Sequence, residues 1–494
     1  MRSPGFCYIR CTMLDKVLYW FEQLAAIPHG SGNTKGISDF CLAFAKERGL
    51  EVYQDDSNNI IIKKPGNRDS APIMLQGHLD MVCEAAPGVN IDFEKEAITL
   101  VRDENWLSAQ GTTLGGDDGI AVAICLAILD SDNLSHPDLE VVFTTDEETG
   151  MFGAHALDTS ILKSKRLLNI DSENEGVLTV GCAGGARAEI KLPVRPQYIP
   201  NSADCDDDCY KITVTGLIGG HSGVEIDKGR LNSNIVMGDF LLYLLENDFN
   251  VRILSISGGK ADNVIPSETE AVIFASYEGE VAVSTDISTL AATYVADNCI
   301  DTDPDLVIVV EPATLPSSGL TMMLGNSDTE RIIEFLNAVP NGIMAMNVDI
   351  PGLVETSLNL GQTALNSEYF SARFSVRSSV KKAKESLLER LDGIAREYRG
   401  EMTSDGHYPA WEFVKDSPFR ERTIEVFRQL YHKDPKIEII HAGLECGIFS
   451  ERISGLDAIS IGPDLFDIHT PKERLDLKSA ERTVDFVLKI LETV

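Results

Sequence analysis

Residues 139–150 read LEVVFTTDEETG. The run 139–145 has the apolar, β-branched character of a strand, and it delivers two adjacent carboxylates, Glu147 and Glu148, into the loop that follows. Such a pair can divide two tasks. One glutamate binds a metal while its neighbour, directed elsewhere, is free to take a proton from water. A solvated acidic turn accounts equally well for an isolated pair, because acidic side chains are mostly exposed. The decision rests on what the rest of the chain brings to the same place.

Outward from this strand, residues 51–53, 60–63 and 73–76 also read as strands, the last leading directly into GHLD, and 167–171 forms another. Helices are expected from Met13, where Leu14, Val17, Leu18, Phe21 and Leu24 recur at helical spacing, and over 35–48. Residues 115–130, GGDDGIAVAICLAILD, carry the start signal and apolar richness of a buried helix. Alternating strands and helices predict an α/β layer architecture, whose ligands gather at strand ends. The stretch 192–210, LPVRPQYIPNSADCDDDCY, is rich in Pro, Asp and Asn and marks a domain junction or an exposed loop. After it, KITVTGL, NSNIVMGDFLLYLL, VRILSISGG and EAVIFASY suggest an α+β module, and KKAKESLLERLDGIAREYRG a further helix-rich stretch. From Ile437 the segments IEIIHAGLECGIF and DAISIGPDLFDIHTP read as short strands and loops.

Composition narrows the function. A chain of 494 residues exceeds a single core, so two domains are expected. With 43 basic against 77 acidic residues the net charge is -34, which argues against nucleic acid or an anionic membrane as partner. Ten cysteines in so long a chain do not make a disulfide scaffold, and Cys125 and Cys446 lie in apolar or glycine-rich surroundings, so a reducing cytoplasm is expected. Cys205 and Cys209 form CxxxC without a second pair at finger-like spacing, a weak pattern for structural zinc. The first twelve residues lack a signal peptide's apolar middle, and no run approaches the ~20 apolar residues of a spanning helix. A soluble protein is expected.

Several polar residues follow apolar strands as Glu147 and Glu148 do. His78 and Asp80 in QGHLDMV lie two positions apart and so face the same side of an extended chain, seating a histidine ligand with a carboxylate beside it. Asp117 opens DDG after a glycine pair, where a plain helix cap is the simpler account. Asp171 follows LLNI, and His469 lies in IGPDLFDIHTP after another apolar strand. Each alone has an ordinary explanation. Together they suit two dications that share Asp117 and water, each completed by imidazole and carboxylate.

At this point the chain resembles the M20 metallopeptidases, most nearly the Xaa-His (aminoacyl-histidine) dipeptidases. GHLD, GGDDG, DEETG, NIDSE, GGHSG, DNVIP, HAGLECG and IGPDLFDIHTP occur in the family's order, and the likeness runs from about Met13 to Val494. The resemblance implies a zinc-peptidase catalytic domain of α/β class, built from residues 1–190 and 403–494, with an inserted α+β lid and dimerisation domain over 191–402. It implies that His78 and Asp171 hold one Zn2+, Glu148 and His469 a second, and that Asp117 bridges them, with Mn2+ or Co2+ as possible substitutes. Glu147 becomes the general base, and Asp80 the acid that orients His78. His221 in GGHSG, Asn263 in ADNVIP, Arg377 in FSVRSS, and Gly443 and Glu445 in HAGLECG match substrate-contact positions. There Arg377 would clamp a carboxylate and Glu445 would pair with a free ammonium. The expected activity is hydrolysis of short unblocked peptides, Xaa-His peptides such as carnosine among them, by a cytoplasmic homodimer. An N-acyl amino acid deacylase and a non-catalytic metal-binding protein are the alternatives. Cys446 has no nucleophile role in this chemistry, and His441 stays outside the ligand set.

Overall fold

The computed structural model describes residues 12–200, 209–277, 283–313, 315, 319–348, 350 and 352–494. Cys205 and the segment before Thr12 lie outside the described residues. The chain divides into two units. The first takes in the chain up to Cys182 together with Phe413–Ile439 and Leu444–Val494, and the second is Ala183–Glu412 with Ile440–Gly443.

In the first unit, Ile60–Ile62, Ile73–Leu75, Val141–Phe143 and Leu167–Leu168 are all buried. Such near-continuous apolar runs mark strands covered on both faces. They belong to an eight-stranded sheet with the order Glu51–Gln54, Ile60–Lys64, Leu139–Thr144, Ile73–His78, Arg166–Asn169, Asp457–Ser460, Val177–Cys182, Lys436–Ile440. The run from Leu139–Thr144 to Asp457–Ser460 is parallel, so four strands end at one edge. Register brings His78 beside Thr144, and Gln76 beside Asn169, which in turn lies beside Ser460. Asp171, two residues past Asn169, therefore emerges near the level of His78.

The helix Gly116–Leu129 is apolar on every side, and each residue from Ile120 to Leu129 is buried. It approaches the Ile73–His78 strand closely because Gly77 has no side chain: a Cβ there would stand 2.8 Å from that of Ala121. One expectation is corrected. The segment after Ile437 contains, beyond the strand Lys436–Ile440, a helix at Cys446–Arg452 whose Cys446, Ile448 and Phe449 are buried. Its few apolar residues do not separate helix from strand by spacing alone.

The second unit is built on an antiparallel sheet. Its order is Val307–Pro312, Cys209–Thr215, Thr269–Ser276, Asn250–Gly258, Val354–Leu365, Tyr369–Ser378, Gly184–Pro193, Glu401–Tyr408, with Gly342–Met346 also pairing with Val354–Leu365. Alternate residues of Thr269–Ser276 are buried, as a sheet with one covered face requires. The covering layer is the helices Ser233–Glu246, Val283–Asn298, Asn326–Ala338 and Lys381–Glu397, whose Phe240, Ile287, Phe335 and Leu391 join one apolar core.

Candidate metal centre

The polar residues gather where the parallel strands end, the usual place for ligands in such sheets. His78 is the last residue of its strand and is 1% exposed. Its Nδ1 lies 2.9 Å from the main-chain oxygen of Asp80, to which it donates. That fixes the ring orientation and turns Nε2 toward the carboxylates beyond the strand end. Nε2 faces Asp117 Oδ1 at 3.1 Å and Asp171 Oδ1 at 3.6 Å. On the other side, His469 Nε2 lies 3.2 Å from Asp117 Oδ2 and 2.9 Å from Glu148 Oε1. Asp117 thus presents one carboxylate oxygen to each histidine.

The Asp80 carboxylate is engaged elsewhere. It lies 3.6 Å from His78 Nδ1, so the ring is oriented by the main-chain carbonyl of Asp80. Its Oδ1 accepts the Glu147 N–H at 3.0 Å, and Oδ2 accepts the Glu148 N–H at 3.3 Å and the Ser31 hydroxyl at 2.8 Å. One buried carboxylate therefore holds the backbone of both glutamates. The two side chains then diverge: Glu148 pairs with His469, while none of the described hydrogen bonds or ion pairs uses the Glu147 carboxylate.

Charge in this cluster is unbalanced. Among the described residues, the ion pairs of Asp80, Asp117, Asp171 and Glu148 are with His78 or His469, never with Lys or Arg. Hydrogen bonds with Asp117 and Glu148 push the His469 imidazole up to about 11. Burial alone would lower the pKa of His78, but Asp117, Asp171 and Asp80 together lift it well above the usual histidine range. Burial, reinforced by Asp117 and Glu148, raises Asp171 to about 6. Burial also raises Glu147 well above the ordinary carboxylate range, with Asp171, Glu445 and Glu148 adding to it against His78. Such a site draws in cations. Ligand atoms of Asp117, Glu148 and His469 lie within 4.8 Å of one another, as do those of His78, Asp118 and Asp171 and those of His78, Glu147 and Glu148. Mixed imidazole and carboxylate donors at this spacing fit zinc and the neighbouring divalent metals.

Sequence reasoning passed over Asp118. It is 2% exposed, and its Oδ2 accepts the His78 N–H at 3.1 Å, bracing the ligand strand against the helix. Glu445 is fully buried: its Oε2 accepts from Gln76 Nε2 and the Thr144 hydroxyl, both at 2.6 Å, and its Oε1 has no partner among the described residues. With Asn169 donating to Gln76 Oε1 at 2.5 Å, these residues form a buried network beneath the ligands. Burial raises the Glu445 carboxyl to about 8.

The remaining predicted contacts lie in the second unit. His221 Nδ1 accepts the N–H groups of Gly223 and Val224, each at 3.2 Å. The neutral ring then carries its proton on Nε2 as a donor, and burial followed by the Arg377 charge keeps it neutral by lowering its pKa. Arg377 is buried and donates from Nη1 to the Tyr408 hydroxyl at 3.0 Å, while its Nε has no partner among the described residues. Its cross-strand neighbour Ser357 shares a 2.7 Å hydrogen bond with His441 Nε2. Asn263 is exposed, in a turn whose main-chain oxygen accepts the Ser222 N–H at 2.9 Å, and Gly443 is half-buried.

Imidazole and carboxylate donors gathered at the carboxyl ends of the sheet's parallel strands have the chemistry of a metal-dependent hydrolase. The chain belongs to peptidase family M20/M25/M40, whose profile matches residues 74–493. It is 33% identical over 480 residues, 96% of either chain, to the cytosol non-specific dipeptidase of Escherichia coli (strain K12). The aminoacylhistidine dipeptidase of Vibrio alginolyticus superposes with a TM-score of 0.87 at 31% identity, covering 97% of this chain and 96% of that one. A tripeptidase of Staphylococcus aureus shares the fold, with a TM-score of 0.54 at 16% identity over 97% of this chain and 98% of its own.

Proposed function

We propose that this protein is a dinuclear dipeptidase that hydrolyses short peptides with free termini in the cytosol, with zinc as its working metal. The observation that carries the reading is the Asp117 carboxylate, which turns one oxygen toward each of two histidines that have separate carboxylate partners. His78, Asp171 and Asp117 Oδ1 would hold one ion, and His469, Glu148 and Asp117 Oδ2 the other. When bound, the ions polarise the scissile carbonyl and acidify water.

The protein's own groups do the rest. Glu147, with its carboxylate uncommitted, takes the proton of the attacking water and later delivers it to the departing amine. Asp80 keeps Glu147 and Glu148 in their divided orientations through their backbone N–H groups. His221, a neutral Nε2–H donor, suits a carboxylate or a developing oxyanion. Arg377, whose buried Nε has no partner among the described residues, suits the terminal carboxylate together with Asn263, and Gly443 is a further substrate contact.

A panel of dipeptides in free, N-acetylated and C-amidated forms, with N-acetyl amino acids alongside, tests the reading. Free dipeptides are expected to be turned over best. Arg377→Met is expected to lower kcat/KM for them by about 10- to 100-fold, the worth of a hydrogen bond to a charged group at about 1.5–3 kcal/mol, while sparing C-amidated peptides. Equal or faster turnover of N-acetyl amino acids would replace the dipeptidase reading with a deacylase.

A further inference from the structure

Four consecutive backbone N–H groups, those of residues 114–117 in the turn that leads into the Gly116–Leu129 helix, converge on one carboxylate far away in sequence. Glu473 Oε2 accepts from Leu114 at 2.8 Å and Gly115 at 3.2 Å, and Oε1 accepts from Gly116 at 2.8 Å and Asp117 at 3.3 Å. Glu473 is 3% exposed and lies four residues after His469. The first N–H groups of a helix lack intrahelical partners, and a side chain at the cap position ordinarily supplies one. Here Gly115, in the left-handed region at φ 66°, has no side chain to supply one, and the backbone of Asp117 (ψ 107°) and Asp118 is not yet helical, so the turn needs an acceptor from elsewhere. The nearby aspartates are occupied: Asp117 faces His78 and His469, and Asp118 accepts the His78 N–H. The glycine pair keeps the approach open. A Cβ on Gly116 would stand 3.1 Å from Glu473 Oε1 and 2.7 Å from the Leu465 side chain.

We propose that Glu473 is a positioning residue of the metal centre: it accepts the N–H groups of the turn of residues 114–117 from outside, so that Asp117 can give both oxygens to the site, and it ties the loop of His469 to the turn of Asp117. This rests on the reading of His78, Asp117, Glu148, Asp171 and His469 as metal ligands. Four N–H groups donating to one buried carboxylate compensate its removal from water.

Glu473→Gln in the full chain tests it, because the amide keeps the size but turns an NH2 group toward two N–H donors. Zn2+ affinity, measured by competition with a chromophoric chelator, and kcat are each expected to fall by about 10- to 100-fold, as when other partners of metal ligands are removed. KM is expected to change by less than about threefold, and hydrogen exchange at the amides of residues 114–117 to accelerate. Glu473→Asp is expected to recover part of each loss. A folded Glu473→Gln protein with wild-type zinc affinity and kcat overturns the proposal. So does failure of both variants to fold, which would assign the clamp to folding alone. Chelator competition needs no substrate, so wild-type protein that holds zinc but cleaves no dipeptide would remove the dipeptidase reading and leave this role standing.

Discussion

Glu147→Ala is expected to lower kcat for dipeptide hydrolysis by about 10²- to 10⁴-fold, the usual worth of a positioned general base, with metal binding expected to be retained. The separation of the two effects follows from the turn. The Glu147 N–H, which the substitution leaves in place, is what Asp80 holds, and Glu148 is held through its own N–H. The side chain that is lost makes none of the described hydrogen bonds or ion pairs, so its removal leaves His469 and Glu148 paired. It also takes one carboxylate from a cluster already crowded with them, so thermal stability is not expected to fall. Elemental analysis and steady-state kinetics on the same preparation read both halves of the result. Full activity in Glu147→Ala would remove the base assignment.

Asp117→Asn carries the second large effect and acts on the metal itself. Asparagine has a single acceptor oxygen, and its NH2 group cannot serve as a ligand to a cation. Only one of the two histidines would then keep a shared oxygen donor. Because even partners of ligands are worth about 10- to 100-fold in metal affinity, loss of a direct donor is expected to weaken one site by at least about 100-fold. The metal content is expected to fall toward half, and hydrolysis with it. Isothermal titration of the apo-protein with Zn2+ distinguishes one remaining class of sites from two. An unchanged isotherm would show that Asp117 is not shared.

The sheet of the first unit was legible because its central strands are buried on both faces, so that 60–63, 73–76 and 167–171 read as apolar runs without alternation. Residues placed just beyond such runs, His78, Asp171 and the Glu147–Glu148 pair, could be read as a set, since parallel strands in register deliver their ends to one edge. What escaped the sequence depends on contacts between distant segments. Glu473 sits in TPKERLD, a charged stretch with every local mark of a solvated loop, and only the fold brings the N–H groups of residues 114–117 to it. Glu445 stands in a glycine-containing segment that suggests exposure, yet Gln76 and Thr144 enclose it. Asp80 was legible as a neighbour of His78, but the division between its carbonyl, which orients the imidazole, and its carboxylate, which holds the glutamates, is a matter of backbone direction that no residue pattern encodes. The helix Cys446–Arg452 was missed because a short apolar run does not declare its period.

In the proposed enzyme, one aspartate, Asp117, joins two cation sites on which hydrolysis depends. Stepwise addition of Zn2+ to metal-free protein, with bound metal and dipeptide hydrolysis measured at each step, tests it most directly. The predicted result is saturation near two equivalents per chain, with activity rising as the sites fill and absent from the metal-free form. Full hydrolysis by protein holding less than about a tenth of an equivalent of metal, or saturation at a single equivalent that is unaffected by Asp117→Asn, would contradict it.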